Sequence, residues 1–142
     1  EDSMRAMGLD VGTKTIGVAM SDPMYMIAQA KETIKRKDLR TDLDRVEELV
    51  VEFEVEEIII GLPKHMNNSI GASAQRAKSF GKELEKRLNK TVIYQDERLS
   101  TMSAERILIE TGVRRENRKE HVDAVAATFI LQPWLDKSRR NL

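Results

Sequence analysis

The order in which hydrophobic patterns follow one another constrains the fold of this chain more than any single motif. Three short runs at residues 4–9, 15–20 and 29–36 are separated by turn residues, and they predict three antiparallel strands. Beyond residue 40 the pattern alternates between helical spacing and short apolar runs. Hairpins followed by helix, strand, helix and strand predict an α/β domain built on a mixed sheet.

The segments after the hairpins supply two more strands and the helices beside them. Apolar residues recur at helical spacing after Thr41, the expected N-cap, as far as residue 53. The nearly continuous apolar run at residues 58–62 predicts a strand buried on both faces. A stripe of small and apolar residues at positions 74–88 predicts a second helix, and residues 91–95 predict the fifth strand.

The last third of the chain predicts two helices joined by a charged connector. The first helix would end at Gly112, and the connector would cover residues 114–119. The second shows apolar residues at i, i+3, i+4, i+7 and i+8 from Val122, with Pro133 as its expected limit. This pattern places Asp123 in the first turn of the last helix.

Length and composition set limits on the class of protein. With 142 residues, 40% of them hydrophobic, we expect a single domain at residues 4–136 with tails at 1–3 and 137–142. The 24 basic and 24 acidic residues cancel, so any nucleic-acid site must be local. The chain has no cysteine, which excludes disulfides and thiolate metal sites. It shows no signal peptide or long apolar run, which predicts a cytoplasmic protein.

Three acidic residues lie where a hydrophobic segment meets a polar one: Asp10, Glu97 and Asp123. They are far apart in sequence but can converge in a compact sheet, as the metal ligands of a phosphodiester-cleaving enzyme do. Each also has an ordinary explanation. An Asp near a Gly suits a tight turn, Glu97 can pair with Arg98 on the surface, and the helix dipole favours an acid in a first turn. Taken one at a time, the residues leave both explanations open.

Four sequence segments resemble the YqgF family, whose members are described as Holliday junction resolvase-like proteins or pre-16S rRNA nucleases. The segments are residues 9–12 (LDVG), 61–63 (GLP), 96–101 (DERLST) and 121–127 (HVDAVAA), in that order. The resemblance spans about residues 4–133. It implies a ribonuclease H-like fold: a mixed five-stranded sheet, with three antiparallel strands and then two parallel ones, flanked by helices.

The resemblance also implies the chemistry of the site. Asp10, Glu97 and Asp123 would be the catalytic residues and the ligands of Mg²⁺ or Mn²⁺, hard cations that prefer carboxylate oxygen. Two such ions about 3.5–4 Å apart can activate the attacking water and stabilise the leaving 3′ oxygen. One helical turn after Asp123 stand Ala126 and Ala127 in place of a fourth acid, so modest metal affinity is expected.

Cationic and polar residues near these acids are the candidates for binding nucleic acid, because they could neutralise phosphates or donate to phosphate and sugar oxygens. The candidates are Lys14, Asn67, Asn68, Arg98, Arg114, Arg115, Arg118 and Lys119. For the cations of the charged connector, a solvated segment is an equally good explanation. For the two asparagines, an ordinary strand-to-helix turn is at least as good.

The favoured hypothesis is a metal-dependent nuclease that processes the 5′ end of pre-16S rRNA, a single cut that a monomer can make. Holliday junction resolution is the alternative, and its two symmetric cuts require a two-fold dimer. We therefore expect structured RNA or branched DNA as partner, no membrane, and a monomer or weak homodimer. Residues 10–15 also resemble the first phosphate loop of actin-like ATPases, but no second Asp-x-Gly follows. A non-catalytic RNA-binding factor is the hypothesis from another class.

Overall fold

The computed structural model describes residues 4–63, 70–97 and 115–140. The strands are β1 (Arg5–Val11), β2 (Thr15–Ser21), β3 (Ala28–Lys35), β4 (Val55–Pro63) and β5 (Thr91–Glu97), and the helices are α1 (Leu39–Glu52), α2 (Ile70–Leu88) and α3 (Arg115–Arg140). Two predicted features, the helix ending at Gly112 and the loop with Asn67 and Asn68, lie outside the described residues.

The five strands form one sheet in the order β3-β2-β1-β4-β5. β2 pairs with β1 and β3 in antiparallel fashion, whereas β4 pairs with β1 and β5 in parallel. The predicted mixed sheet is therefore confirmed. Because β1, β3, β4 and β5 run in the same direction, their carboxyl ends meet at one border of the sheet, which we call the carboxyl edge.

Alternation along the strands divides the core between the two faces of the sheet. Met7 and Leu9 of β1 pack with the apolar residues of α1 and α2. Ala6 of β1 and Ile59 of β4 pack instead with α3, through its fully buried residues Ala127, Ile130, Leu131 and Leu135. Full burial of one such large side chain stabilises the fold by about 1.5–3 kcal/mol. Any side chain on the second face near the carboxyl edge therefore lies close to α3.

The main chain of α3 approaches the sheet so closely that two strand positions have no room for a side chain. A Cβ atom added at Gly17 of β2 would overlap the carbonyl oxygen of Asp123. One added at Gly8 of β1 would lie 2.8 Å from the Cβ of Leu131. Glycine is thus the residue that permits this close approach of two backbones, and the contact fixes the height of Asp123 above β2.

The start of α1 differs from the sequence-based prediction. Asp38, and not Thr41, is the N-cap: its backbone is extended, and its Oδ1 accepts a hydrogen bond of 2.8 Å from the backbone N–H of Thr41. Thr41 is therefore inside the first turn, where its N–H needs an acceptor. Asp38, three residues before this N–H, supplies that acceptor, so the helix begins at Leu39.

The predictions for the carboxyl-terminal region were wrong in three respects. The connector expected at 114–119 is helical from Arg115, so Asp123 lies eight residues into α3 and not in its first turn. Pro133 does not end the helix, which continues to Arg140. Pro133 is exposed on the outer side, while Leu135 is fully buried. Burial on the sheet side offsets the cost of about 3 kcal/mol of an interior proline.

Candidate active site

Asp10 is the residue before last in β1, the central strand, and it lies at the carboxyl edge. Its partner across the hairpin is Gly17. Alternation puts Asp10 on the same face as Ala6 and Gly8, the face that α3 covers. The side chain is half-buried. Asp10 is held by its pairing with Gly17 of β2 on one side, directly after the last residue of β1 that pairs with β4, Leu9.

Asp123 reaches the same place from α3. Its backbone carbonyl lies against Gly17, the residue that pairs with Asp10, so the two acids approach each other across the sheet–helix interface. The hydroxyl of Thr15 donates a hydrogen bond of 2.7 Å to Asp123 Oδ2. Thr15 is the first residue of β2 and is half-buried. One oxygen of the Asp123 carboxylate is therefore fixed by a side chain of the sheet.

The electrostatics of the pair reflect this closeness. Burial, and after it the negative charge of Asp123, together raise the pKa of Asp10 from 3.8 to about 6. In the part of the chain that the structure describes, neither carboxylate forms an ion pair with Lys or Arg. A partly desolvated carboxylate beside a second acid, without a cationic partner, is typical of a site that takes up a cation.

Glu97 ends β5 at the carboxyl edge, level with Pro63 of β4. Its side chain lies outside the described part of the structure. Position 97 belongs to the same alternating set as Ile93, which packs in the cluster under α3. The backbone therefore brings positions 10, 97 and 123 to one edge and one face of the sheet. Among described side chains, no cluster of three or more acids or histidines is present.

The predicted nucleic-acid contacts are only partly described. Lys14 is exposed in the turn between β1 and β2, which the N–H of Gly12 closes with a hydrogen bond of 2.9 Å to the carbonyl of Thr15. Arg115, Arg118 and Lys119 lie in the first two turns of α3, but their side chains are outside the described part. Asn67, Asn68, Arg98 and Arg114 are outside it altogether.

Thr15 is the site residue that sequence reasoning missed. The sequence shows it only as the first residue of an apolar strand. Its hydrogen-bond partner Asp123 is 108 positions away, so no local pattern connects them. A detectable signal was its place directly after the turn that follows Asp10, since a hairpin returns such a residue to the neighbourhood of the acid.

The strand order and the helices on both faces of the sheet define a class of fold, the ribonuclease H-like fold. The RuvC protein of T. thermophilus, solved in complex with a Holliday junction substrate, has a TM-score of 0.60 to this chain, 15% sequence identity, and 96% coverage of each chain. At this level of identity the likeness concerns the fold alone, and it confirms the ribonuclease H-like fold predicted from the sequence.

The chain belongs to the RuvX family, whose model, described as Holliday junction resolvase, matches residues 4–137. A protein of Agathobacter rectalis named "Putative pre-16S rRNA nuclease" is 51% identical over 136 residues, covering 94% of this chain and 95% of its own length. A Listeria innocua protein of the same name is 53% identical over 135 residues, covering 94% and 98%. These findings confirm the family resemblance and make the protein a nuclease that acts on nucleic acid.

Two more general statements follow from family and structure. Nucleases of this class depend on a divalent metal in general, which agrees with the expectation of a cation at the acidic pair. Across residues 4–63, 70–97 and 115–140, no helix combines the length and the apolar character needed to cross a membrane.

Proposed function

We propose that the protein is a Mg²⁺- or Mn²⁺-dependent endonuclease that processes the 5′ end of pre-16S rRNA, with Asp10, Glu97 and Asp123 as its catalytic residues and metal ligands. The observation that carries the proposal is the approach of Asp10 and Asp123 at the carboxyl edge, where burial and the charge of Asp123 raise the pKa of Asp10 to about 6. The names of two relatives, which are 51% and 53% identical to this chain, support the choice of substrate. Such a substrate also agrees with the predicted cytoplasmic location.

The residues present fit a divalent cation. Asp10 and Asp123 offer carboxylate oxygens, the donors that Mg²⁺ and Mn²⁺ prefer. The two acids are partly desolvated and repel each other, and a divalent cation would relieve both penalties. Glu97, at the same edge, would complete the protein ligands. A metal bound there supplies Lewis-acid charge to the phosphate and lowers the pKa of bound water.

The chain itself would position the two aspartates and set the pH range in which they bind a cation. The Thr15 hydroxyl holds Asp123 Oδ2 and so restricts the rotation of that carboxylate. Gly17 lets the helix backbone rest on β2, which fixes the distance between the two acids through main-chain atoms. Asp10 must be ionised to bind a cation, and its raised pKa means that protons compete with metal below about pH 6.

Holliday junction resolution is the second candidate, and the description of the matching family favours it. It requires two symmetric cuts and hence a two-fold dimer. Processing of an rRNA end requires one cut and no dimer. The two candidates therefore differ in oligomeric state as well as in substrate.

The proposal is tested by cleavage of a labelled pre-16S rRNA 5′ leader and a labelled four-way DNA junction, in Mg²⁺, Mn²⁺ or EDTA. We expect metal-dependent cutting of the leader by the wild type and its loss in Asp10→Asn. Asp22→Asn is the matched control, because Asp22 lies at the opposite edge and its Oδ1 accepts from the backbone N–H groups of Met26 and Ile27. An asparagine can still accept both hydrogen bonds there.

Each other outcome of the cleavage assay leads to a different conclusion. Paired nicks in the junction, with the leader intact, would replace rRNA processing by junction resolution. Tight binding of the leader without cutting, by folded protein in both metals, would favour the non-catalytic RNA-binding factor. Equal cutting by Asp10→Asn would remove Asp10 from the catalytic residues.

A further inference from the structure

A second group of charged residues lies at the carboxyl edge, on the side of β3. Lys35 is the last residue of β3 and pairs directly with Thr15 of β2. Residues directly opposite in an antiparallel pair share a face, with Cβ atoms about 4.5–5.5 Å apart. The Thr15 hydroxyl contacts Asp123. Lys35 is therefore the cross-strand neighbour of a residue that contacts a candidate catalytic carboxylate. Lys35 is exposed.

The segment after Lys35 is fastened to the turn that follows Asp10. The backbone N–H of Arg36 donates to the carbonyl of Lys14, and Arg36 Nη1 donates to the carbonyl of Gly12, each at 2.9 Å. Arg36 Nε donates to Asp42 Oδ2 at 2.9 Å. Asp42 Oδ1 accepts from the backbone N–H of Lys37 at 3.1 Å. Lys14 and Lys37 are thus carried by segments that one arginine holds together.

The charge of this region is strongly unbalanced, although the chain as a whole is neutral. Position 14 and positions 35–42 together contain five cations and two acids. Asp42 is buried and paired with Arg36, and Asp38 caps α1, where hydrogen bonds from Thr41 lower its pKa. Four exposed cations remain, and we call them the cationic strip: Lys14, Lys35, Lys37 and Arg40.

We propose that the cationic strip binds the phosphate backbone of the nucleic-acid substrate beside the bond that is cut. The inference rests on the proposed nuclease function and adds residues that the sequence did not indicate, since Lys35, Lys37 and Arg40 were not among the predicted contacts. The strip contacts phosphates and not bases, so it adds affinity and orientation without sequence preference. Because Arg36 holds its two segments in place, little ordering is needed when substrate binds.

The test is the salt dependence of binding, measured with Asp10→Asn protein so that substrate stays intact. The double variant Lys35→Glu/Lys37→Glu is compared with Lys82→Glu/Lys86→Glu, a matched reversal of two exposed lysines on α2. The slope of log K against log salt is negative, and the strip variant should make it less steep by about 1.4 for single strands and about 1.8 for duplex. Affinity should fall about ten- to a hundredfold near 50 mM salt, and much less near 1 M.

Cleavage kinetics in the wild-type background give a second readout. The strip variant should raise KM by a similar factor while kcat at saturating substrate changes less than about twofold. The neutral pair Lys35→Gln/Lys37→Gln should show a smaller change in the same direction. Thermal unfolding of each variant confirms that the fold is retained.

Two results overturn the inference in distinguishable ways. If wild-type protein cuts substrate but the strip variant keeps the wild-type salt slope and KM, the strip is not a phosphate site and the nuclease assignment stands. The same conclusion follows if the α2 control loses as much affinity as the strip variant. If wild-type protein neither binds nor cuts RNA or DNA, the proposed function fails, and the strip proposal fails with it.

Discussion

Replacement of Asp10 by asparagine is expected to stabilise the metal-free protein at neutral pH, although it should abolish activity. Burial and the charge of Asp123 raise the pKa of Asp10 from 3.8 to about 6 in the folded state. One pKa unit corresponds to about 1.4 kcal/mol, so full ionisation costs the fold about 3 kcal/mol at most. Asparagine has nearly the same shape and carries no charge, so it avoids this cost.

The pH dependence gives the prediction its sign. A carboxyl group whose folded pKa is raised binds more protons in the folded than in the unfolded state between pH 3.8 and about 6. Its favourable contribution is complete below pH 3.8 and is lost as the pH rises through about 6. Wild type and Asp10→Asn should therefore be similar in stability near pH 4 and should diverge up to about pH 7.

The assay is urea and thermal unfolding of both proteins in EDTA between pH 4 and 8. At pH 8 the variant should be more stable by up to about 3 kcal/mol, or roughly 10 °C in Tm. Addition of Mn²⁺ should raise the Tm of the wild type much more than that of the variant, because the variant lacks one of the three proposed carboxylate ligands. A variant that is less stable than wild type at pH 8, or a difference that does not change with pH, would refute the reasoning.

Three further substitutions test the contacts around the site. Thr15→Val should weaken Mn²⁺ binding about tenfold or more, because Asp123 loses its hydroxyl donor. Binding is measured by titration, and the control Thr15→Ser should bind Mn²⁺ like the wild type. Gly17→Ala should cost about 3 kcal/mol or more in urea unfolding because of overlap with the α3 backbone, whereas Gly71→Ala, where the space is open, should be neutral or slightly stabilising. Asp42→Asn should lower the free energy of unfolding by about 1–3 kcal/mol, since the half-buried guanidinium of Arg36 loses a charged acceptor. An unchanged urea midpoint would contradict this.

The parts of the fold that could be predicted are those that local pattern determines. Short runs separated by turn residues identify β1 to β3, and the apolar run at 58–62 marks β4 as a strand buried on both faces. Asp10 was recognisable because it follows an apolar run and precedes a glycine turn. Its place next to α3 follows from alternation once the sheet order is known.

The parts that could not be predicted depend on contacts between distant segments. The rule that proline ends a helix fails at Pro133, because Leu135 is buried against the sheet beyond it. The start of α3 at Arg115 shows no apolar signal, so Asp123 was placed too close to the helix end. The hydrogen bond from Thr15 to Asp123 connects residues that only the assembled sheet brings together. The same is true of the hydrogen bond from Arg36 to the carbonyl of Gly12.

The backbone contact at Gly17 has a consequence for how the site tolerates change elsewhere. Most helix–sheet spacings depend on interdigitating side chains, so a substitution that alters side-chain volume also alters the spacing. At Gly17 the carbonyl of Asp123 rests on the strand with no side chain between them. Side-chain substitutions farther along α3, near Leu135, therefore leave the main-chain contact between Gly17 and Asp123 in place. Substitutions in the core under α3 should for this reason lower the free energy of unfolding more than they lower metal affinity.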